Sequence, residues 1–407
     1  LKLVQPTPKT PLTLRLSRDL RRDLKRGHPW VFAESLRQCP TAEAGTPAIL
    51  LDSRQREVAR GFYDANSPLA FRVCNTNDEA LDDAWAIHQF RRALTLRQHF
   101  LDAQTTGYRL FNGEGDGLPG LVVDIYGDTA VMKLDGAAAS HFWQAEGVAE
   151  WVAQQLGLNC VYERATPPHS PLNQGGKRGG VGRALIGNIP TKPIEFLENG
   201  VRFVADVVVG QKTGFFLDQR DNRQLMRQVA KGQRVLNLFG YTGGFSVYTG
   251  LGEAEHVTTV DMARPAIEMA ERNWQRNNLP AISHEGIVSD VFEFLSQAAQ
   301  AKRSWDVVII DPPSFAPSKS AVAKAIPAYQ KLVAVGAAVT APDGLLAMAS
   351  CSSHINVDTF LTICEEGVSQ ARRRSTMLSL KGQSFDHPSP LVFSEFRYLK
   401  FALMRVE

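Results

Sequence analysis

Short apolar runs broken by polar turns fill the start of the chain. "PAILLDSRQREVARGFYD" and "LAFRVC" cluster or alternate their apolar positions between turn residues, which predicts a small β-rich module over residues 1–80. The spacing then lengthens. In "AWAIHQFRRALTLRQHFL", Ala86, Phe90 and Leu94 share one face of a helix that stops before Gly107. "GLVVDIYGDTAVMKL" reads as a hairpin turning at Gly127-Asp128, and a helix ("FWQAEGVAEWVAQQLG") and a strand ("CVYER") follow. These make residues 81–190 a small central α/β part. It closes on "ATPPHSPLNQGGKRGGVGRALIGNIPTKP", a basic Gly/Pro-rich stretch without periodicity, read as a linker or as a loop touching RNA.

Over residues 191–407 strands and helices alternate. "RVLNLF", "HVTTVD", "WDVVIIDPP" and "GLLAMASC" are short buried-type strands, and "RPAIEMAERNWQRNN" sets Ile267, Ala270 and Trp274 on one helix face. Such alternation predicts a parallel sheet wrapped by helices. The closing "FRYLKFALMRVE" is expected as a strand at the sheet edge. The fold class is therefore α/β: a C-terminal Rossmann-like part, an N-terminal β-rich module and a small central α/β part.

Composition adds exclusions. A chain of 407 residues with 44% hydrophobic and 21% charged residues is an ordinary globular protein of two or three domains. No apolar run reaches the roughly 18–20 residues of a membrane span. The N-terminus lacks the apolar core of a signal peptide, so a cytoplasmic location is expected. Five scattered cysteines with no C-x-x-C pair, and histidines with no H-x-x-x-H pair, argue against a metal site and a disulfide framework. The net charge of +3 is nearly balanced. Basic residues do crowd between Arg15 and Arg37, as a solvated helix face or as a phosphate-binding patch.

Two clusters carry chemistry. A strand leads into the loop Phe239–Gly244, with Gly240, Gly243 and Gly244, and a second strand ends in Asp261, 18 residues after Gly243. Glycines let a ligand approach the backbone, and an acid at that place accepts from a ribose diol. Asp290 ends a third strand and is placed to accept from an adenine amino group. The loop G-Y-T-G-G-F lacks the last glycine of a dinucleotide fingerprint and resembles the first motif of class I S-adenosylmethionine-dependent methyltransferases.

The second cluster is catalytic. "VVIIDPPSF" puts Asp311 and a rigid pair of prolines just past a buried strand, where open parallel sheets bind ligands. Cys351 ends the next strand. Taken alone, it reads equally as a small core residue. Beside Asp311 it suits attack at cytosine C6, which makes C5 nucleophilic, with Asp311 bonding the base at N3 or the exocyclic amine. Upstream, "GQKTGFFLDQRDNR" packs Lys212, Phe216, Arg220 and other polar groups beside aromatics, a composition for stacking on bases and binding phosphate, or for a plain turn and charged helix.

"GHPWVF", "RLFNGEGDGLPGLVVDIYGD", "GQKTGFFLDQRDNR", "NLFGYTGGFSV", "DPPSF" and "SCSSH", in this order over nearly the whole chain, resemble the bacterial large-subunit ribosomal RNA cytosine-C5 methyltransferases of the RlmI type. The resemblance implies a PUA domain, an RNA-binding module, at the N-terminus, with Arg26, His28 and Trp30 in it; the composition of "GQKTGFFLDQRDNR" makes Lys212, Phe216 and Arg220 further expected RNA contacts. It implies S-adenosylmethionine as cofactor, lined by Gln219, Asn237, Phe239, Tyr241, Thr242, Gly243, Gly244, Asp261, Asp290 and Asp311. Cys351 would be the nucleophile with Asp311 as its catalytic partner, no metal would be needed, and 23S ribosomal RNA would be the partner, naked or in an assembling subunit. A homodimer is compatible with the sequence. Where relatives carry a Pro-Glu-Gly-like turn, this chain reads "FSEFR". Methylation of a purine, or a non-catalytic RNA-binding assembly factor, are the alternatives.

Overall fold

The computed structural model describes residues 1–8, 10–165 and 182–407. Most of the basic Gly/Pro-rich stretch lies outside these residues. The chain forms two compact units: Leu1–Gly200 with Val204–Leu217 and Phe385–Phe393, and Val201–Phe203 with Asp218–Ser384 and Ser394–Glu407.

The first unit holds two five-stranded sheets. Strands β1 (Leu12–Arg15), β2 (Trp30–Val31), β3 (Thr46–Leu51), β4 (Glu57–Tyr63) and β5 (Phe71–Asn75), with the short helix α1 (Arg21–Lys25), make a sheet of order β1-β3-β4-β5-β2. Its alternating strands enclose Leu14, Leu50, Ala59 and Phe71. Helix α2 (Asp83–Phe100) starts where the Asp82 side chain accepts from the Trp85 N–H at 2.9 Å, an N-cap that satisfies a backbone donor. Its Trp85, Ala86, Phe90 and Ala93 enter a larger core.

That core is built on β6 (Gly107–Asn112), β7 (Leu121–Tyr126), β8 (Thr129–Leu134), β9 (Cys160–Glu163) and β10 (Arg183–Ile186), in the order β10-β9-β8-β7-β6. Helices α3 (Gly136–Phe142) and α4 (Ala145–Leu156) pack on it. The hairpin turns at Gly127, φ 57°, as its sequence predicts. β10 corrects the reading of residues 165–193 as loop throughout. Arg183 bridges Glu146 and Glu163 at 2.6 and 2.7 Å, and the strand pairs with β9.

Strands β11 (Ile194–Glu198) and β12 (Val201–Ala205) precede the second unit's helix α5 (Arg220–Gln228). Then come β13 (Arg234–Leu238), α6 (Gly244–Leu251), β14 (His256–Asp261), α7 (Arg264–Arg276), β15 (His284–Val288), α8 (Val291–Gln300), β16 (Trp305–Ile310), α9 (Val322–Val339), β17 (Thr340–Ser350), α10 (Val357–Gln370), β18 (Ser375–Lys381) and β19 (Lys400–Val406). The sheet order is β15-β14-β13-β16-β17-β19-β18, with the first five strands parallel and β19 antiparallel to both neighbours. Near-continuous apolar runs such as Val307–Ile310 fit strands covered on both faces.

The closing strand is not at the edge. β19 lies between β17 and β18 and buries Phe401, Leu403, Met404 and Val406. At about 1.5–3 kcal/mol for each large apolar side chain enclosed, an inner place is strongly favoured. The edge belongs to β18, whose Met377 and Leu378 are exposed.

Candidate active site

Strand order reverses at β13, between β14 and β16, and all three end on the same rim. In open α/β sheets ligands bind at this crevice. The loop after β13 is held in an unusual path. Phe239, Tyr241 and Gly243 have φ of 57°, 45° and 77°, and the first two lack glycine's freedom, at a cost of about 1 kcal/mol or more each. A Cβ on Gly243 would lie 2.7 Å from Ala270 Cβ, and one on Gly240 would lie 2.4 Å from Thr259 Cγ2. The glycines thus let α7 and β14 pack directly on the loop.

Asp261, at the end of β14, braces that loop. Its Oδ2 accepts from the Tyr241 N–H and its Oδ1 from the Ala263 N–H, both at 2.9 Å. Under the loop, Asn237 Nδ2 donates to Ser246 Oγ at 2.8 Å, Ser246 shares a 2.6 Å hydrogen bond with Thr259, and Thr259 meets His284 Nε2 at 2.8 Å. Burial, reinforced by His256, pulls the His284 pKa down to about 4, so this chain of hydrogen bonds is neutral at physiological pH. Two buried acceptors on this rim, Asn237 Oδ1 and Thr242 Oγ1, have no hydrogen-bond partner among the described residues. Buried polar atoms are normally satisfied, so these two suit a polar ligand. Asp290 is exposed, and its Oδ1 caps α8 by accepting from Phe292 and Glu293 at 2.9 and 3.0 Å.

Asp311 leaves the end of β16. Gln219 Nε2 donates to its Oδ2 at 3.0 Å, and Gln219 Oε1 accepts from Asn222 Nδ2 at 2.6 Å. The carboxylate is therefore aimed by two buried amides from the start of α5. Gln219 belongs to the predicted cofactor set; Asn222, three residues on, was not singled out by the sequence.

Cys351 follows β17, whose Met348 pairs in register with Ile310. It therefore leaves the sheet on the same rim as Asp311, half-buried and in no disulfide. Its neighbours clamp the turn. Ser352 Oγ shares hydrogen bonds with Ser314 Oγ at 2.8 Å and with Tyr329 OH at 3.1 Å, and Tyr329 OH accepts from the Phe315 N–H at 3.2 Å. The "DPPSF" and "SCSSH" stretches are thus tied together through α9. Lys400 Nζ donates to the Ser352 carbonyl at 2.6 Å. Neither Tyr329 nor Lys400 carries a local sequence signal; the packing of α9 brings the first and the pairing of β17 with β19 the second.

The expected RNA contacts fall in different settings. Arg26 is exposed just past α1. His28 Nδ1 lies 3.0 Å from the Trp30 carbonyl, and the Trp30 indole donates to Glu114 at 2.8 Å. Both rings pack edge-on against Phe393. Lys212 is exposed in the first unit, with its ammonium 4.6 Å from the Phe216 ring centre. Arg220 differs from a surface phosphate contact, being 1% exposed and 3.6 Å from Asp221.

"NGEGDGLPG" and "VVDIYGD" turn out to position buried ion pairs. Arg97 pairs with Asp116 at 2.6 Å, Arg109 with Asp124 at 2.7 Å, and Arg72 with Glu114 at 2.6 Å. Thr213 of "GQKTGFF" donates to Asp124 at 2.5 Å and meets Tyr126 OH at 2.9 Å.

Comparison with known proteins agrees with this geometry. Residues 172–372 match the S-adenosylmethionine-dependent methyltransferase family, and residues 14–76 match the PUA-like domain family. A ribosomal RNA large subunit methyltransferase of Deinococcus radiodurans is 38% identical, over 97% of this chain and 98% of that protein. The ribosomal RNA large subunit methyltransferase I of Aeromonas salmonicida is 33% identical, over 94% and 96%. Among solved structures, a Streptococcus mutans protein described as a SAM-dependent methyltransferase superposes with a TM-score of 0.82 at 25% identity, covering 97% of this chain and all of that one. SMU.776, described as a methyltransferase and solved in complex with SAH, gives a TM-score of 0.84 at the same identity and coverage.

Proposed function

This chain belongs to the family of ribosomal RNA large subunit methyltransferases, and from that premise we propose that it methylates C5 of a cytosine in large-subunit ribosomal RNA, with Cys351 as nucleophile. The observation that carries the reading is that the adjacent parallel strands leading to Asp311 and Cys351 end on one rim, with the Cys351 turn clamped through Ser352, Ser314 and Tyr329. S-adenosylmethionine, when bound, supplies an electrophilic methyl group. The rim fits it: Asp261 suits a ribose diol, and Asn237 Oδ1 and Thr242 Oγ1 are buried acceptors with no partner among the described residues. Phe239, Tyr241, Gly244, Gln219, Asp290 and Asp311 complete the proposed lining.

The residues of the chain handle the base. Cytosine C5 is too weak a nucleophile unaided. Addition of the Cys351 thiolate to C6 forms a C–S bond and moves the C5–C6 π electrons so that C5 becomes enamine-like. Asp311, aimed by Gln219, accepts from the exocyclic amine or, in its protonated form, donates to N3, and so stabilises the adduct. After transfer the C5 proton leaves to a base, the double bond re-forms and the C–S bond breaks, returning the thiolate. The PUA-like module, through Arg26, His28 and Trp30, and the Lys212–Phe216 pair are the proposed RNA contacts. Their phosphate contacts should make RNA affinity fall with salt.

The test is to incubate the protein with large-subunit ribosomal RNA from a strain lacking it and S-adenosylmethionine carrying a labelled methyl group. Label is expected in 5-methylcytidine, and Cys351→Ala is expected to abolish it. Label in a purine nucleoside, or methylation retained by Cys351→Ala, would overturn the reading.

A further inference from the structure

Lysine is among the side chains least often buried, yet Lys400 is 2% exposed. It stands on β19 opposite Ser350, the residue before Cys351. From there its Nζ reaches past the strand end and donates to the carbonyl of Ser352, the residue after Cys351, at 2.6 Å, and to the Tyr398 carbonyl at 2.8 Å. The ammonium is therefore built into the turn that carries the thiol. A buried charge needs compensation, and two neutral carbonyls supply only part of it.

The surroundings narrow the remaining partner. From β17 and its turn come Ser350, Cys351 and Ser352, and from α9 comes the phenol of Tyr329, through Ser352. Before β19, the Tyr398 OH donates a hydrogen bond to Asp218 Oδ2 at 2.6 Å. On β18, Lys381 is exposed opposite Phe401, and on α10 burial pushes the Cys364 thiol up to about 12, so it stays neutral. Burial pulls the Lys400 amine down to about 8, and charge on Cys351 acts the other way, holding the ammonium. That coupling is reciprocal: an ammonium stabilised by a thiolate also stabilises the thiolate.

We propose that Lys400 is the positioning residue of the nucleophile, fixing the Cys351 turn through the Ser352 carbonyl and stabilising the Cys351 thiolate. This rests on the reading of Cys351 as nucleophile. When the S–H bond breaks, its electron pair stays on sulfur, the proton passes to water, and Lys400 remains an ammonium.

The experiment follows alkylation of Cys351 by iodoacetamide in the full-length protein, read by peptide mass spectrometry from about pH 6 to pH 10, across the ordinary thiol midpoint of about 8.5. In the wild type the midpoint is expected at least about one pH unit below that value. Lys400→Met should raise it by about one pH unit and slow alkylation near pH 7 about tenfold, whereas Lys400→Arg should keep it low. Equal midpoints in wild type and Lys400→Met, or a wild-type midpoint at about 8.5 or above, overturn the proposal. Calorimetric binding of S-adenosylmethionine checks the fold of each variant. If Lys400→Met does not bind it, the wild-type midpoint decides. The nucleophile reading fails separately, if Cys351→Ala still methylates, whatever the midpoints.

Discussion

Arg97 in the first unit and Asn237 in the second are equally inaccessible, each 1% exposed. Their polar atoms are treated differently. All five N–H donors of Arg97 have acceptors: the Ala93, Arg109 and Asp386 carbonyls and both oxygens of Asp116. Asn237 has its amide donor on Ser246, while its Oδ1 has no partner among the described residues. The Arg97 site is closed and holds an element in place. The Asn237 site, beneath a loop held at positive φ, keeps one buried acceptor for the proposed cofactor. The satisfied ion pair suits a structural role, and the open acceptor beneath the loop suits the proposed ligand.

Substitutions can break this contrast. The largest expected effect is at the closed site. Arg97→Met leaves the Asp116 carboxylate buried without its cation and should destabilise the first unit by about 3–5 kcal/mol, read by urea unfolding. Affinity for S-adenosylmethionine, which the second unit is proposed to bind, should change little wherever the protein remains folded. At the open site the balance reverses. Asp261→Ala should cost about 1 kcal/mol or less of stability, since the Tyr241 and Ala263 amides lie near solvent. It should weaken S-adenosylmethionine binding about 10–100-fold by calorimetry, the worth of hydrogen bonds to a charged acceptor. A variant of Asp261 that unfolds while still binding tightly would erase the distinction.

Local pattern in the sequence was enough to place the strand–helix alternation, the glycine loop, the Gly127 hairpin and the faces of α2 and α7. Those features depend on residues three or four positions apart, or on a turn's own chemistry. What it missed depends on partners far along the chain. Arg97 falls seven positions after Phe90, on the inward face of α2, and only the fold brings Asp116 and Asp386 to it. Lys400 looks like a surface lysine until β19 is inserted between β17 and β18. The same insertion explains why "FRYLKFALMRVE" was expected at the edge: alternation reports a half-covered strand, and the register that buries both faces is not written locally. Gln219 is aimed at Asp311 across 92 positions, a pairing that spacing alone does not reveal. The charge of Arg220 suggests a phosphate contact in the sequence, but its burial is set by the packing around α5.

The central claim, a covalent bond from Cys351 to cytosine C6, has a direct test. Large-subunit ribosomal RNA transcribed with 5-fluorocytidine presents a carbon from which no proton can be lost after methyl transfer, so a true adduct cannot resolve. Incubated with such RNA and S-adenosylmethionine, the wild-type protein should form a denaturation-resistant complex. Peptide mass spectrometry should place the nucleotide on Cys351, and Cys351→Ala should give no complex. A wild-type protein that methylates unsubstituted RNA yet yields no such complex, or one joined through another residue, would contradict the account.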